Sequence, residues 1–345
     1  GDVSQYLRPE NEANASLLDF YNDTNGSIDE MRIYDRALSG SEVLDLFNLE
    51  SSRSSANVTE SWTFTNAGAN GRFGPTQQQI DSAYVATNLA NKVSINTQGI
   101  QEWIVPATGT YRIEAWGAQG GSVEGPGLFA VGGKGSRMSG DFYLVRNEQI
   151  KIIVGQSGTS ESGGSGSGGG GTFIVNENSS SPLLISGGGG GAAIWNTHVR
   201  VGKGGVVENI GASGDSGTSP YTNSGGAGGT DGNGGITIPG DGFGGGGYFT
   251  DSLNGGGLSF LSGGLGGDQS NDGGFGGGGG SLSSRGPSGG GGYSGGGSSQ
   301  GGSFFGGAGG GGSYNSGTEQ INLAGANDGH GKVVISLLGN PKLES

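Results

Sequence analysis

The sequence predicts an all-β protein, an antiparallel sandwich interrupted by a long glycine-rich insertion. Three observations carry this. Short runs rich in β-branched and aromatic residues fill residues 60–155, glycine dominates residues 156–328, and one more strand-like run closes the chain. Of 85 glycines, 18 lie in residues 1–155 and 67 in 156–345. Apolar residues make up 30% and charged residues 13% of the chain, which indicates neither a large greasy core nor a charge-swollen disordered chain.

Taken in order, residues 1–50 read as a strand and a helix. In "GSIDEMRIYDRAL", Gly26–Leu38, the residues Ile28, Met31, Ile33 and Tyr34 alternate loosely with charged ones. In "SGSEVLDLFN", Ser39 and Glu42 have capping-box spacing, and Val43, Leu44 and Phe47 share one face of a short helix. The pair resembles the last strand and helix of laminin-G/concanavalin-like lectin domains. Those domains are jelly rolls, and their earlier strands are missing from this segment. A lone half-buried strand is not stable in water. Gly26–Leu38 is therefore expected to pair with another sheet, either its own or a neighbouring copy's.

Residues 51–155 are expected to form the first part of the sandwich. "SWTFTN", "QEWIVPATGTYRIEAWGA", "GDFYLV" and "EQIKIIVGQ" read as strands separated by turns such as Pro106–Gly109 and Arg146–Asn147, and "TQQQIDSAYVATNLANK" reads as a helix. Residues 156–328 are the glycine region, broken by "GTFIV" and "PLLIS". "GHGKVVISLL" then opens the closing segment, 329–345. Strands before and after the insertion place its two ends in one sandwich.

A Gly/Ser-rich run reads by default as a flexible tether. Here Phe243, Tyr248, Phe249, Phe260, Phe275, Tyr293, Phe304, Phe305 and Tyr314 punctuate it, where a tether would carry Ser or Thr. The expected form is polyglycine II, with three residues per turn and no bonds within a helix. Without Cβ atoms, neighbouring helices approach closely enough to bond each other. Ordering each glycine costs at least about 1–2 kcal/mol of chain entropy, which dense backbone pairing must offset. The aromatics are expected to seal edges and turns.

"WTFTNAGANGRFGPTQQQIDSAY", "GIQEWIVPATGTYRIEAWGAQGG", the glycine tract and "GHGKVVI" follow one another in order. From Ser61 to Leu338 this series resembles the glycine-rich extracellular region of the anaplastic lymphoma kinase/leukocyte tyrosine kinase family. Gly74-Pro75-Thr76-Gln77 and Val105-Pro106-Ala107-Thr108 are its most specific motifs, being outside low complexity. The resemblance implies a tumour-necrosis-factor-like jelly roll carrying an inserted bundle of polyglycine II helices. The family has cysteines at the positions of Ala67 and Ile80, which here are expected to pack together instead. No kinase, membrane span or cysteine-rich module accompanies the region, so receptor signalling is not carried over.

Motifs for chemistry are missing. "VGGKGS" is no phosphate loop, because Leu128 stands at the first glycine position and Gly135 at the magnesium-binding Ser/Thr. The two histidines, His198 and His330, have no cysteine partner in a chain with no cysteine. "TDGNGG", "GDGFGG" and "NDGGFGG" follow neither calcium repeat nor EF-hand spacing and read as turns. No cofactor and no catalytic or metal site is expected.

The net charge of −14 argues against nucleic acid and anionic membrane, and suits a basic partner, divalent cations or plain solubility. No apolar run of about 18 residues suggests a membrane span. Asn14, Asn22, Asn25, Asn57 and Asn178 head N-glycosylation sequons. These observations predict a non-enzymatic extracellular protein, structural or adhesive, with copies of itself as partners through Gly26–Leu38 and a self-assembled fibre as product. The alternatives are a ligand-binding ectodomain fragment recognising a protein or glycan, and an ice- or surface-binding protein. The last needs a row of Thr or Asn that is not evident.

Overall fold

Alternation along the strand runs decides the architecture. In Gly109–Trp116, Tyr111, Ile113 and Ala115 are buried while Arg112, Glu114 and Trp116 are half-buried on the other side, the period of two that a sheet with one core face requires. The computed structural model describes residues 58–162, 164–178, 181–215, 225–238, 241–282, 286–300 and 306–339. The chain divides into two compact units, Gly1–Ser54 and Ser55–Ser345, and all described residues belong to the second. The expected strand Gly26–Leu38, with Ile28, Met31, Ile33 and Tyr34, lies outside the described residues, as do Asn14, Asn22, Asn25, Asn57, Phe304 and Phe305.

In chain order come β1 (Val58–Phe64), α1 (Gln77–Tyr84), β2 (Val93–Ser94), β3 (Gln101–Ile104), β4 (Gly109–Trp116), β5 (Val123–Gly125) and β6 (Leu128–Ala130). Next are β7 (Gly135–Leu144), β8 (Gln149–Ile153), β9 (Glu161–Ser162), β10 (Gly164–Ser165), β11 (Thr172–Asn176) and β12 (Ser181–Ser186). The rest are β13 (Ala193–Trp195), β14 (His198–Arg200), β15 (Tyr314–Asn315), β16 (Thr318–Asn327) and β17 (Lys332–Leu338). Two antiparallel sheets build the sandwich, β1-β17-β4-β7-β16 and β15-β12-β11-β8-β3-β2. The all-β, jelly-roll-like sandwich expected from the sequence is what the chain forms. β17 lies between β1 and β4, with Ile335 opposite Trp62 and Ile113. β8 before the insertion and β17 after it belong to the two facing sheets, and Gly331 N–H donates to Gly155 O at 2.8 Å where the chain leaves one and enters the other.

The main core lies between the two sheets. Trp62, Phe64, Tyr111, Ile113, Met138, Val333 and Ile335 come from the first sheet and meet Trp103, Ile150, Ile152, Ile174 and Leu184 from the second. Trp62 and Trp103 touch at 5.1 Å between ring centroids. Ala67 packs at the margin of this core, of which Ile80 on α1 is a fully buried member.

In the second sheet β8, β11 and β12 pack on both faces. Ile153, Phe173, Val175 and Ile185 point away from the sandwich and pack against Tyr248, Phe260 and Phe275 of the glycine region. Tyr248, Phe260 and Phe275 thus form a layer beneath the glycines, with Tyr293 and Tyr314 partly buried against it, whereas the sequence places the aromatics at edges and turns. Phe249 is half exposed and Phe243 half-buried, both outside this layer. Flat rings suit this layer because they cover sheet surface while allowing glycine backbone to run close above them.

Over that layer the glycine segments bond to one another with a period of three. Gly168 and Gly171 N–H donate to Gly279 and Gly276, Gly188 and Gly191 to Gly291 and Ser288, and Gly309 and Gly312 to Gly297 and Ser294, all at 2.8–2.9 Å. The residues between turn to other neighbours, as Gly169 donates to Gly189 and Gly170 to Gln156. Same-partner bonding at every third residue is the pattern of threefold extended helices. The lattice also recruits segments that the sequence assigns to the sandwich. Gly117 and Gly120 donate to Ser136 and Gly133, and Ala118 and Gly121 to Gly170 and Ser167.

Buried serines take glycine positions where a hydroxyl adds a bond. Ser288 Oγ accepts from Phe243 N–H and donates to Gly280 O, and Ser294 Oγ accepts from Gly232 N–H and donates to Asn209 O.

Candidate functional site

The outer face of the five-stranded sheet is the best-defined polar surface of the described residues. Strand register sets three rows across it. Lys332, Trp116, Arg137 and Leu323 form the first, and Val334, Glu114, Ser139 and Ile321 the second. Ser336, Arg112, Asp141 and Thr318 form the third. On β4, β7 and β17 these side chains alternate with core residues, so packing of the core aims them outward, and the register of β16 against β7 brings Leu323, Ile321 and Thr318 into the same rows.

The charges on this face are fixed rather than free. Arg112 grips Asp141 through two bonds, Nε to Oδ1 at 2.8 Å and Nη2 to Oδ2 at 2.9 Å. Hydrogen bonding to Asp141 raises the guanidinium above its ordinary value against the opposing effect of burial. Arg137 Nη2 donates to Glu114 Oε1 at 2.6 Å, and its guanidinium carbon Cζ lies 5.5 Å from the Trp116 ring centre. Lys332 Nζ stands 4.1 Å from the same ring. Both cations are attracted by the negative face of the indole, and the planar guanidinium fork adds the fixed geometry for a carboxylate that an ammonium point charge lacks. Around these pairs Tyr143 is 70% exposed, Ile321 47% and Leu323 46%. An aromatic and arginine-rich centre with apolar neighbours is the composition that protein interfaces favour.

The histidines and the Asp-Gly turns are scattered over the fold. His330 sits in the tight entry to β17, where its Nδ1 accepts from Ser157 N–H at 3.1 Å. Burial pushes its imidazole below the ordinary histidine value. It therefore serves as a neutral acceptor that ties the closing strand to the start of the lattice. Asp231 and Gly232 both take positive φ, 53° and 81°, which is turn geometry. Burial pushes Asp251 up, but bonds from the Ser259 N–H and the Ser259 and Ser262 hydroxyls outweigh it, leaving the carboxyl below its ordinary value. Among the described residues no three His, Cys, Asp or Glu side chains come together to hold a metal ion.

Asn178 is exposed in the turn between β11 and β12, its Oδ1 accepting from Gln149 N–H at 3.1 Å. The ion-paired face had no sequence signal, since Arg112 and Asp141 are 29 residues apart and only strand register joins them.

Fold and surface together define an all-β sandwich with a glycine lattice against one sheet and an ion-paired polar face on the other. No protein-family model matches the chain. A stretch of 99 residues, 28% of the chain, is 41% identical to the leukocyte tyrosine kinase receptor of Mus musculus. It spans 11% of that receptor's length. The resemblance to that receptor's family holds over this stretch. Among the described residues no helix is long and apolar enough to cross a membrane.

Proposed function

We propose that this chain is a non-enzymatic extracellular recognition module that binds a protein or glycan partner through the outer face of its five-stranded sheet. The observation that carries the reading is the pre-formed outer face, with Arg112–Asp141 and Arg137–Glu114 locked at hydrogen-bond distance beside exposed Tyr143, Ile321 and Leu323. Rigid surfaces lose little entropy on binding, so affinity comes more cheaply from them than from mobile ones. The likeness to a receptor supports an extracellular setting. The glycine lattice acts as a stiff backing for the sheet, with polyglycine II as its helical form.

The test is to screen the full chain against secreted proteins and a glycan array, then repeat each hit with Tyr143→Arg and Leu323→Arg. Both positions are exposed, so the fold tolerates them. Loss of binding by both variants supports the reading. Unchanged binding by both, or no ligand in either screen, overturns it.

A second reading, a structural or adhesive protein that assembles by adding Gly26–Leu38 to a neighbour's sheet, draws on one observation. β16 is an edge strand bearing exposed Ile321 and Leu323 and neither Lys nor Pro, the kind of edge that accepts another strand. Light scattering decides it: fibres that vanish on deletion of residues 1–50 favour this reading, and a monomeric full chain removes it.

A further inference from the structure

We propose that Tyr293 and Tyr314 form an oxidative cross-linking site, at which a haem peroxidase with hydrogen peroxide joins the two phenols as dityrosine. The rings are stacked with centroids 4.9 Å apart and planes 28° from parallel. They belong to different parts of the protein. Tyr293 lies in the glycine lattice, its N–H bonded to Gly312 O at 2.8 Å, and Tyr314 lies in β15 opposite Ile185 at the edge of the sandwich. Both are half-buried, so an oxidant in solvent reaches ring edges whose orientation the packing already fixes.

The neighbouring tyrosines are placed differently. Tyr248 stacks on Tyr293 at 6.3 Å but is 2% exposed, and Tyr84 and Tyr111 are buried in the sandwich. Tyr143 is well exposed on the outer face, which makes it the natural control. Holding two reactants in contact replaces a bimolecular encounter with a unimolecular one, worth a large effective concentration. A chain with no cysteine has no disulfide with which to tie lattice to sandwich, and this pair supplies the equivalent position.

The chemistry balances. Each phenol gives up one electron and its hydroxyl proton, and the two radicals form one carbon–carbon bond between ring positions ortho to the oxygens. The two displaced ring hydrogens return to the oxygens and restore the phenols. Hydrogen peroxide takes up the two electrons and two protons and leaves as two waters.

The experiment treats the dilute full chain with peroxidase and hydrogen peroxide and follows dityrosine fluorescence, intact mass and peptide maps. The expected product is a monomer lighter by two hydrogens, with Tyr293 joined to Tyr314. Tyr293→Phe and Tyr314→Phe keep the stacking and each should abolish it, while Tyr143→Phe should leave it intact. A monomeric product that persists in either pair variant overturns the proposal. So does a cross-link mapped to another pair, or the absence of monomeric product where free tyrosine couples under the same conditions.

Discussion

Replacing Gly170 by alanine tests whether the glycine lattice is held by its backbone contacts. A Cβ at Gly170 would stand 1.7 Å from Phe275 O and 2.6 Å from its carbonyl carbon. Ordinary contact begins near 3.4 Å, so the two segments must separate by roughly 1.7 Å. Backbone cannot swing aside as a long side chain does. Phe275 O accepts from Gln156 N–H at 2.8 Å, Gly170 N–H donates to Gln156 O at 2.9 Å, and Gly170 O accepts from Ala118 N–H at 3.0 Å. Separation weakens two or three of these bonds, each costing about 1–3 kcal/mol when a buried partner is left unpaired. The smaller entropy of the unfolded alanine chain returns about 0.4–1 kcal/mol.

The net expectation is a loss of about 3–5 kcal/mol, a large share of the ~5–15 kcal/mol that domains possess. Thermal and urea unfolding measure it, and the melting temperature should fall by roughly 6–20 °C at about 2–4 °C per kcal/mol. Gly125→Ala is the control, because its nearest neighbour would be Ile194 Cγ2 at an ordinary 3.4 Å. A Gly170→Ala protein that melts together with the Gly125→Ala control would refute the close-packed lattice.

Three further outcomes are expected. Phe260→Ala removes a ring stacked on Tyr248 at 5.2 Å and packed on Phe173 at 5.5 Å, and should cost about 3–5 kcal/mol in urea unfolding; a cost below about 1 kcal/mol speaks against the aromatic layer as a core. His330 is held neutral by burial, so the unfolded chain binds its proton more tightly, and stability present above about pH 6.5 should fall as the pH drops below that value. His330→Gln should flatten the profile between about pH 7 and pH 5, and an unchanged slope removes His330 as its cause. Secretion from a glycosylating eukaryotic host should add a glycan at Asn178, seen as a mass lost on enzymatic deglycosylation; an unmodified Asn178 peptide would count against the site.

The sandwich strands were legible because their cores impose a period of two, as in Tyr111, Ile113 and Ala115. The helix begins where expected, with Thr76 and Gln79 forming a reciprocal capping box. It stops at Tyr84, short of Lys92, because Thr87 Oγ1 donates to the Tyr84 carbonyl and Asn91 takes φ 59°. β16 escaped notice since Thr318–Asn327 is exposed nearly throughout and shows no apolar alternation. Glycine segments carry no side-chain pattern, so order was legible from the embedded aromatics and partner choice was not. Gly168 meets Gly279 across more than a hundred residues, and nothing local to either announces it. The outer face was invisible for the same reason.

The strongest consequence of the fold is that lattice and sandwich should unfold together. β8, β11 and β12 each give one face to each core: Ile152, Ile174 and Leu184 to the sandwich, Ile153, Phe173 and Ile185 to the aromatic layer. Losing the lattice would strip the second face and leave a sheet with large apolar side chains in water, at about 25 cal/mol per Å² exposed. Losing the sandwich would remove the sheet on which the rings rest. Hydroxyls bind the same seam, since Ser136 Oγ bonds Ser186 Oγ at 2.8 Å and Ser313 Oγ at 2.9 Å, all three buried. A shared sheet couples the two halves as one cooperative unit, in contrast to domains joined by a linker. Near-ultraviolet dichroism reports Trp62 and Trp103 in the sandwich, and amide exchange reports the glycine segments. The two should give one midpoint in urea. Exchange-competent glycine amides at denaturant concentrations where the tryptophan signal is still native would show a lattice that melts alone, and would sink the argument that the inner sheet joins them.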